Sequence, residues 1–377
     1  MVRSRPVAEV KPFRAVRYGE RAGPLESLVA PPYDVISAPE REQLAGRSPH
    51  NVVHLTLPKD EPEAGRLWHA WRADGALVEE DDPGFWWLSQ DYIGPDGVAR
   101  TREGLVAALR AEPYENRVIL PHERTHRGPK EGRLRLMREV QAQLEPLFFL
   151  YEGAPPATRP EREPDLEVEG ARLWRLPPEG ISEAFADRQL LIADGHHRYE
   201  TALAYAEEVG GPPDAASRFT LALLTDIDDP GLEVLPTHRV LKAGVAVTGG
   251  EDAPSLEATL AGLHGRVAAG VYHDHRFQVL PLEGNVAVVE LHEQVIDNIL
   301  GKRNPEDFLL YTRDAGEAVR WVDEGVGVGA FFLDAPDPRQ VLKLAQEGKT
   351  LPQKSTYFYP KPPSGMVFLR LDANRRI

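Results

Sequence analysis

Between Leu190 and Val209 the hydrophobic pattern changes period. Leu190, Leu191, Ile192 and Ala193 form an unbroken apolar run of the length a buried strand needs. Tyr199, Ala202, Leu203, Ala206 and Val209 then recur at helical spacing, up to a Gly210-Gly211-Pro212-Pro213 stop. The pattern predicts a strand handing over to a helix, with Gly195 at the sharp turn where a side chain would obstruct.

The same reading places the other elements. Residues 10–16 read as an edge strand, with Pro12 tolerated where no ladder partner is needed. At 29–37 a double proline fixes an extended approach and Ser37 caps a helix starting near Pro39. The rigid loop so formed presents Tyr33 and Asp34, either as a binding loop or as a packed connector. Residues 51–57 alternate like a strand and precede an amphipathic helix over 61–78, with Leu67, Trp68, Trp71 and Leu77 facing inward. Residues 85–92 and 101–109 flank Gly94-Pro95-Asp96-Gly97, a hairpin signal whose tryptophans belong to the core. Strands follow at 118–120, 146–151, 172–176 and 219–224, with a helix to about Leu144, a Pro- and Glu-rich surface excursion over 152–170 and a short helix over 181–188. The acidic run 226–231 marks a boundary. Beyond it, helices at 255–263, 317–324 and 338–347 alternate with strands at 235–241, 276–280, 286–291 and 329–333.

Composition narrows the class. The 377 residues include 59 acidic and 44 basic side chains, a net charge of −15, which argues against nucleic acid or an anionic membrane as the main partner. Any anion site must therefore be local. The absence of cysteine excludes disulfides, Cys-ligated zinc, iron–sulfur clusters and thiol nucleophiles. No apolar run approaches a membrane span, and residues 1–6 lack the apolar core of a signal peptide, so the expectation is a soluble cytoplasmic protein. The preference for Arg over Lys and the many prolines suit a GC-rich genome.

Candidate chemistry concentrates at three places. In Asp194-Gly195-His196-His197-Arg198, Asp194 reads as the N-cap, so two imidazoles and a guanidinium fall in the first helical turn, where backbone N–H groups and the dipole favour an anion. Helices ordinarily prefer acidic residues there, so three potentially cationic ones cost stability unless an anion binds. The competing reading is a structural turn in which Arg198 pairs with a carboxylate. The second place is the loop His122-Glu123-Arg124-Thr125-His126, where acid, base and hydroxyl types meet at a strand end. The third combines Thr237-His238-Arg239 with Lys354-Ser355-Thr356 in a proline-held tail carrying two lysines and three hydroxyls, which would fold back over an anionic ligand. No Walker-type loop is present, so a P-loop enzyme is not expected.

Five motifs in order resemble a bacterial and archaeal family known only as a conserved domain of unknown function. They are Pro32-Tyr33-Asp34-Val35-Ile36, His122-Glu123-Arg124-Thr125, Asp194-Gly195-His196-His197-Arg198-Tyr199, Leu235-Pro236-Thr237-His238-Arg239 and Lys354-Ser355-Thr356-Tyr357-Phe358. The segment from Asp194 to Tyr199 looks, more distantly, like the phosphate-binding turn of the ParB/sulfiredoxin superfamily. Sulfiredoxin needs a cysteine and ParB clamps carry basic DNA-binding modules, which leaves the free serine kinases as the similar members. The resemblance implies an α+β fold, with a ParB/sulfiredoxin-like mixed-sheet domain over 1–225 and a second α/β domain over 226–377. It implies a small-molecule phosphotransferase acting between a nucleotide, ADP or ATP, and a hydroxylated metabolite, serine first, with Mg²⁺. Asp194 would help hold the metal, and Gly195, His196, His197 and Arg198 the phosphates, joined by Thr125, Arg239, Lys354, Ser355 and Thr356. Phosphoryl transfer is mostly positioning and charge neutralisation, and on chemistry Glu123 is the first choice of base and Asp34 the second, with His122 beside them. Two alternatives stay open: a nucleotide-sensing protein without turnover, and a metal-dependent hydrolase using His122, His126, Asp194, His196 and His197. The partners expected are a nucleotide and a small molecule, with a homodimer as an open option.

Overall fold

The computed structural model describes residues 8–123, 128–242, 244, 249–372 and 374–377. The fold is mixed α/β, and the chain divides into two compact units, one of residues 1–121, 125–233 and 360–377, the other of residues 122–124 and 234–359.

The first unit is built on a nine-stranded sheet. Its strands run in the order Ile119–Leu120, Leu190–Asp194, Leu147–Tyr151, Phe219–Asp226, Ala99–Arg110, Phe85–Ile93, Ala171–Leu176 and Leu166–Val168, and Val10–Lys11 pairs with Ala99–Arg110. Two pairings are parallel, Leu190–Asp194 with Ile119–Leu120 and Leu147–Tyr151 with Phe219–Asp226, and the rest are antiparallel. The hairpin turns where the sequence says it should, with Gly97 at φ 77° and Asp96 Oδ1 accepting from the Val98 N–H at 3.1 Å. One sheet face buries Phe85, Trp87, Leu105, Phe149, Ile192 and Tyr199 together. A second core gathers Trp68, Trp71, Val53 and Phe368, and the hairpin's Trp86 and Trp87 are buried as well.

Several expected elements differ. Residues 51–57 contain a helical turn, Val53–Thr56, because Asn51 is wholly buried and folds the backbone back on itself, its Oδ1 accepting from the Val53 N–H at 3.0 Å while its Nδ2 donates to Ser27 O. The helix expected over 61–78 stops at Ala73, and Leu77–Glu79 is a strand paired with Val16–Tyr18. The edge strand expected at 10–16 shortens to Val10–Lys11.

The second unit carries a six-stranded antiparallel sheet in the order Glu251–Ala253, Arg276–Pro281, Ala268–His273, Gly329–Phe332, His238–Leu241 and Leu309–Thr312. Helices Leu256–Ala261, Ala315–Asp323 and Pro338–Gln346 start on side-chain caps from Ser255, Asp314 and Asp337. Residues 286–291, expected as a strand, are helical over Ala287–Leu291 and continue into a wider turn over His292–Ile296.

Candidate functional site

The strand-to-helix handover is built by glycine geometry. Gly195 sits at φ 98° and ψ 29° and is itself the N-cap of helix His196–Val209. A Cβ there would stand 2.5 Å from Leu147 Cδ2 and 3.1 Å from Arg198 Nη2, so both the backbone and the space require glycine. Asp194, expected as the cap, instead ends the strand, because the left-handed glycine takes the capping position. The helix begins without a capping side chain and has no acidic residue in its first turn.

Released from capping, the Asp194 carboxylate meets two cations. Arg198 Nη2 donates to Asp194 Oδ2 at 2.6 Å, and Lys361 Nζ lies 2.7 Å from Asp194 Oδ1. Lys361 also pairs with Asp34, in the turn Tyr33–Val35, so one ammonium joins two carboxylates far apart in the chain. Burial alone would push the Asp194 pKa up, but Lys361 and Arg198 outweigh it and hold it below the usual aspartate value. Burial likewise opposes the charge on Lys361, and Asp194 and Asp34 outweigh it, raising its pKa. Arg198 Nη1 donates to Pro146 O at 3.1 Å and lies 3.8 Å from Glu145 Oε2. Glu145 Oε1 in turn accepts from the Tyr33 N–H at 3.0 Å and from Ser364 Oγ at 2.6 Å, tying the Tyr33-Asp34 loop to the same cluster. His196 is buried in the first helical turn and His197 half-buried beside it.

This arrangement partly agrees with each sequence reading. Arg198 does pair with a carboxylate, as a structural turn would have it, yet the helix start keeps its uncapped, acid-free character. Lys361 and Glu145 are the residues that sequence reasoning missed. The tail's second lysine was noted, but nothing in a linear pattern links it to Asp34 and Asp194.

A metal at Asp194 was the other expectation. Both carboxylate oxygens of Asp194 are engaged by cationic nitrogens, and among the described residues no group of three or more His, Asp or Glu side chains is arranged to hold a metal ion. The donor set of Asp194 does not fit a protein-held Mg²⁺; of the five ligands of the hydrolase alternative, His126 lies outside the described residues.

The other predicted residues gather in the second unit. Glu123 accepts from the backbone N–H groups of Lys354, Ser355 and Thr356 at 3.3, 3.0 and 3.3 Å, and from Thr356 Oγ1 at 3.3 Å. Three successive N–H groups thus close on a carboxylate supplied by the chain itself. Burial raises the Glu123 pKa against the lowering effect of these bonds. His122 Nε2 lies 2.6 Å from Thr356 Oγ1. Arg239 is fully buried, with Nη2 donating to Lys354 O at 3.3 Å and Nε to His292 Nε2 at 3.4 Å. Burial, then the Arg239 charge, pulls His292 down to about 3, so its imidazole is neutral and accepts. Burial also pulls Arg239 down to about 10. Thr125 lies outside the described residues.

Residues 10–322 match the model of a family described as "Protein of unknown function (DUF1015)". No curated protein matches the chain. Among solved structures, a conserved hypothetical protein from Pyrococcus furiosus is similar at 17% identity, covering 68% of this chain and 93% of that one, with a TM-score of 0.39. A free serine kinase in complex with AMP is similar at 16% identity, covering 69% and 90%, with a TM-score of 0.41. SbnI with a C-terminal truncation, from Staphylococcus aureus, is similar at 13% identity, covering 72% and 90%, with a TM-score of 0.40. Among the described residues no helix is long and apolar enough to cross a membrane.

Proposed function

The chain belongs to the family of unknown function DUF1015, and from that premise we propose that its first unit is a cytoplasmic small-molecule phosphotransferase. It moves the terminal phosphoryl group of ADP or ATP to a hydroxylated metabolite, with serine as the first candidate. The observation that carries the reading is the ammonium of Lys361 held between Asp34 and Asp194 beside the uncapped start of helix His196–Val209.

That cluster contains what phosphoryl transfer asks of a protein. A helix start and the cations Arg198 and Lys361 stabilise charge on the transferring oxygens, and a carboxylate orients the attacking hydroxyl. In the transfer, the acceptor oxygen bonds to the terminal phosphorus as the bridging P–O bond to the nucleotide breaks. The hydroxyl proton passes to a carboxylate and the nucleotide leaves one phosphate shorter. Asp34 is the better base, because it shares Lys361 with Asp194, whereas Glu123 is already held by four donors. Mg²⁺ enters this reading as part of the incoming nucleotide.

The engagement of Glu123 favours, as a second reading, a nucleotide-sensing protein without turnover. Phosphorus NMR of the protein with ADP or ATP and a panel of hydroxylated acceptors separates the two: turnover gives a new phosphomonoester resonance, and sensing gives line broadening alone. His197→Ala is expected to abolish nucleotide binding by calorimetry with the far-UV spectrum unchanged. Unaltered affinity in that variant refutes the phosphate cradle.

A further inference from the structure

Beside Arg198 the first unit contains a half-open cavity of about 40 Å³, lined by residues of helix Gly128–Val140, helix His196–Val209 and the segment from Ala142 to Glu145. One water needs roughly 10–15 Å³ of such space, so the cavity holds on the order of three waters or one small metabolite. Its wall is divided. Leu136, Met137 and Leu144 form an apolar side, and Arg133, Gln143 and Arg198 a polar one.

The polar side has more positive than negative charge. Two guanidinium groups share the wall with one carboxylate, Glu145, whose oxygens serve Tyr33, Ser364 and Arg198; Arg198 is paired with Asp194 as well, so Arg133 is the cation that no carboxylate of the wall engages. Arg133 is fixed in place: Nη1 donates to Thr56 O at 2.7 Å and its guanidinium lies 3.4 Å over the Tyr33 ring. Among the described residues, two wall side chains carry buried polar atoms with no hydrogen-bond partner, Thr56 Oγ1 and Gln143 Nε2. Such atoms are rare in folded proteins, because each forfeits its hydration without compensation. A polar cavity whose wall leaves a hydroxyl and an amide unsatisfied is suited to a ligand that satisfies them.

We propose that this cavity is the acceptor subsite and takes a small amino or hydroxy acid of about three or four carbons, a size set by the volume. Its carboxylate meets the Arg133 guanidinium and accepts from Gln143 Nε2, its hydroxyl or amino group meets Thr56 Oγ1, and its short hydrocarbon chain lies against Leu136 and Met137. The inference rests on the phosphotransferase reading for what happens to the bound acid, and not for the binding itself.

Calorimetry of the full chain with L-serine, glycerate and glycerol, each with and without ADP, tests it. The acids bind at millimolar concentration or tighter and glycerol, lacking a carboxylate, does not. Gln143→Leu weakens acid binding about tenfold, the worth of one hydrogen bond at a desolvated site, and leaves ADP affinity and the unfolding midpoint in place. If that variant fails to fold, Leu136→Phe, which fills the cavity without touching a polar group, gives the same selective loss. Absence of acid binding while ADP binds overturns the subsite and leaves the phosphotransferase proposal standing. Acid binding without any nucleotide binding does the reverse, and unchanged acid affinity in both folded variants overturns the subsite.

Discussion

Lys361 Nζ lies 2.7 Å from Asp194 Oδ1, joining the last segment of the first unit to the strand end that feeds helix His196–Val209. The same ammonium pairs with Asp34. Lys361→Met would leave two carboxylates without their shared cation. Breaking a buried pair costs about 3–5 kcal/mol, and the partial exposure of Asp34 reduces that to about 2 kcal/mol here. Urea unfolding should show that loss, and calorimetry should show nucleotide affinity falling with it. A variant of wild-type stability would mean that the triad contributes nothing.

The pH response of Asp194 has a definite sign. Its folded pKa is lowered, so its stabilising contribution is complete above the unfolded value of about 3.9 and disappears as pH falls through the folded pKa. Asp194→Asn should therefore be less stable than wild type at neutral pH, and the gap should close below about pH 4. Thermal unfolding across that range checks it; a gap independent of pH would assign the effect to packing instead of charge.

Arg102 gives a prediction of opposite sign. It is fully buried with its guanidinium 4.6 Å over the Phe148 ring, and it donates from Nη2 to Gln90 Oε1 at 2.6 Å, while Nε and Nη1 have no hydrogen-bond partner among the described residues. Burial pulls its pKa down to about 10, and Asp229, the carboxylate acting on it, accepts instead from the Glu103 and Gly231 N–H groups. A buried charge so poorly compensated is replaceable, and Arg102→Met should raise stability by about 1 kcal/mol or more. A lower melting temperature would show that the cation contributes to the fold.

Gly195→Ala imposes both a left-handed backbone on alanine and a Cβ 2.5 Å from Leu147 Cδ2. The expected cost is about 1–3 kcal/mol, with a larger loss in nucleotide affinity as the helix start shifts. Parallel measurement of unfolding and ADP binding checks both parts. Wild-type behaviour in each would remove the handover from the account of the site.

The handover was legible because its period change is local: an apolar run, a glycine and a helical repeat lie in one stretch. The helices that start at Ser255 and near Pro39 were legible for the same reason, since a cap and its helix are neighbours. Residues 51–57 misled because alternation assumes that polar positions face water, whereas Asn51 is buried and spends both side-chain groups on backbone partners. At 286–291, β-branched residues suggested a strand where tertiary packing holds a helix. Strands Ala268–His273 and Leu309–Thr312 carried too little contrast to be marked. The site was half legible. Asp34, Asp194, Gly195 and Arg198 do share one cluster, but Lys361 and Glu145 join it only through long-range pairing, which a single sequence does not display.

The order of synthesis gives the Lys361 bridge a further consequence. A ribosome makes Asp34 and Asp194 first, then all of residues 234–359, and only afterwards Lys361. At translation rates of about 5–20 residues per second, the interval from Asp194 to Lys361 lasts roughly 8–33 seconds. Throughout it the nascent first unit holds two carboxylates with no ammonium between them, so the bridge can form only after the whole of residues 234–359 has been made.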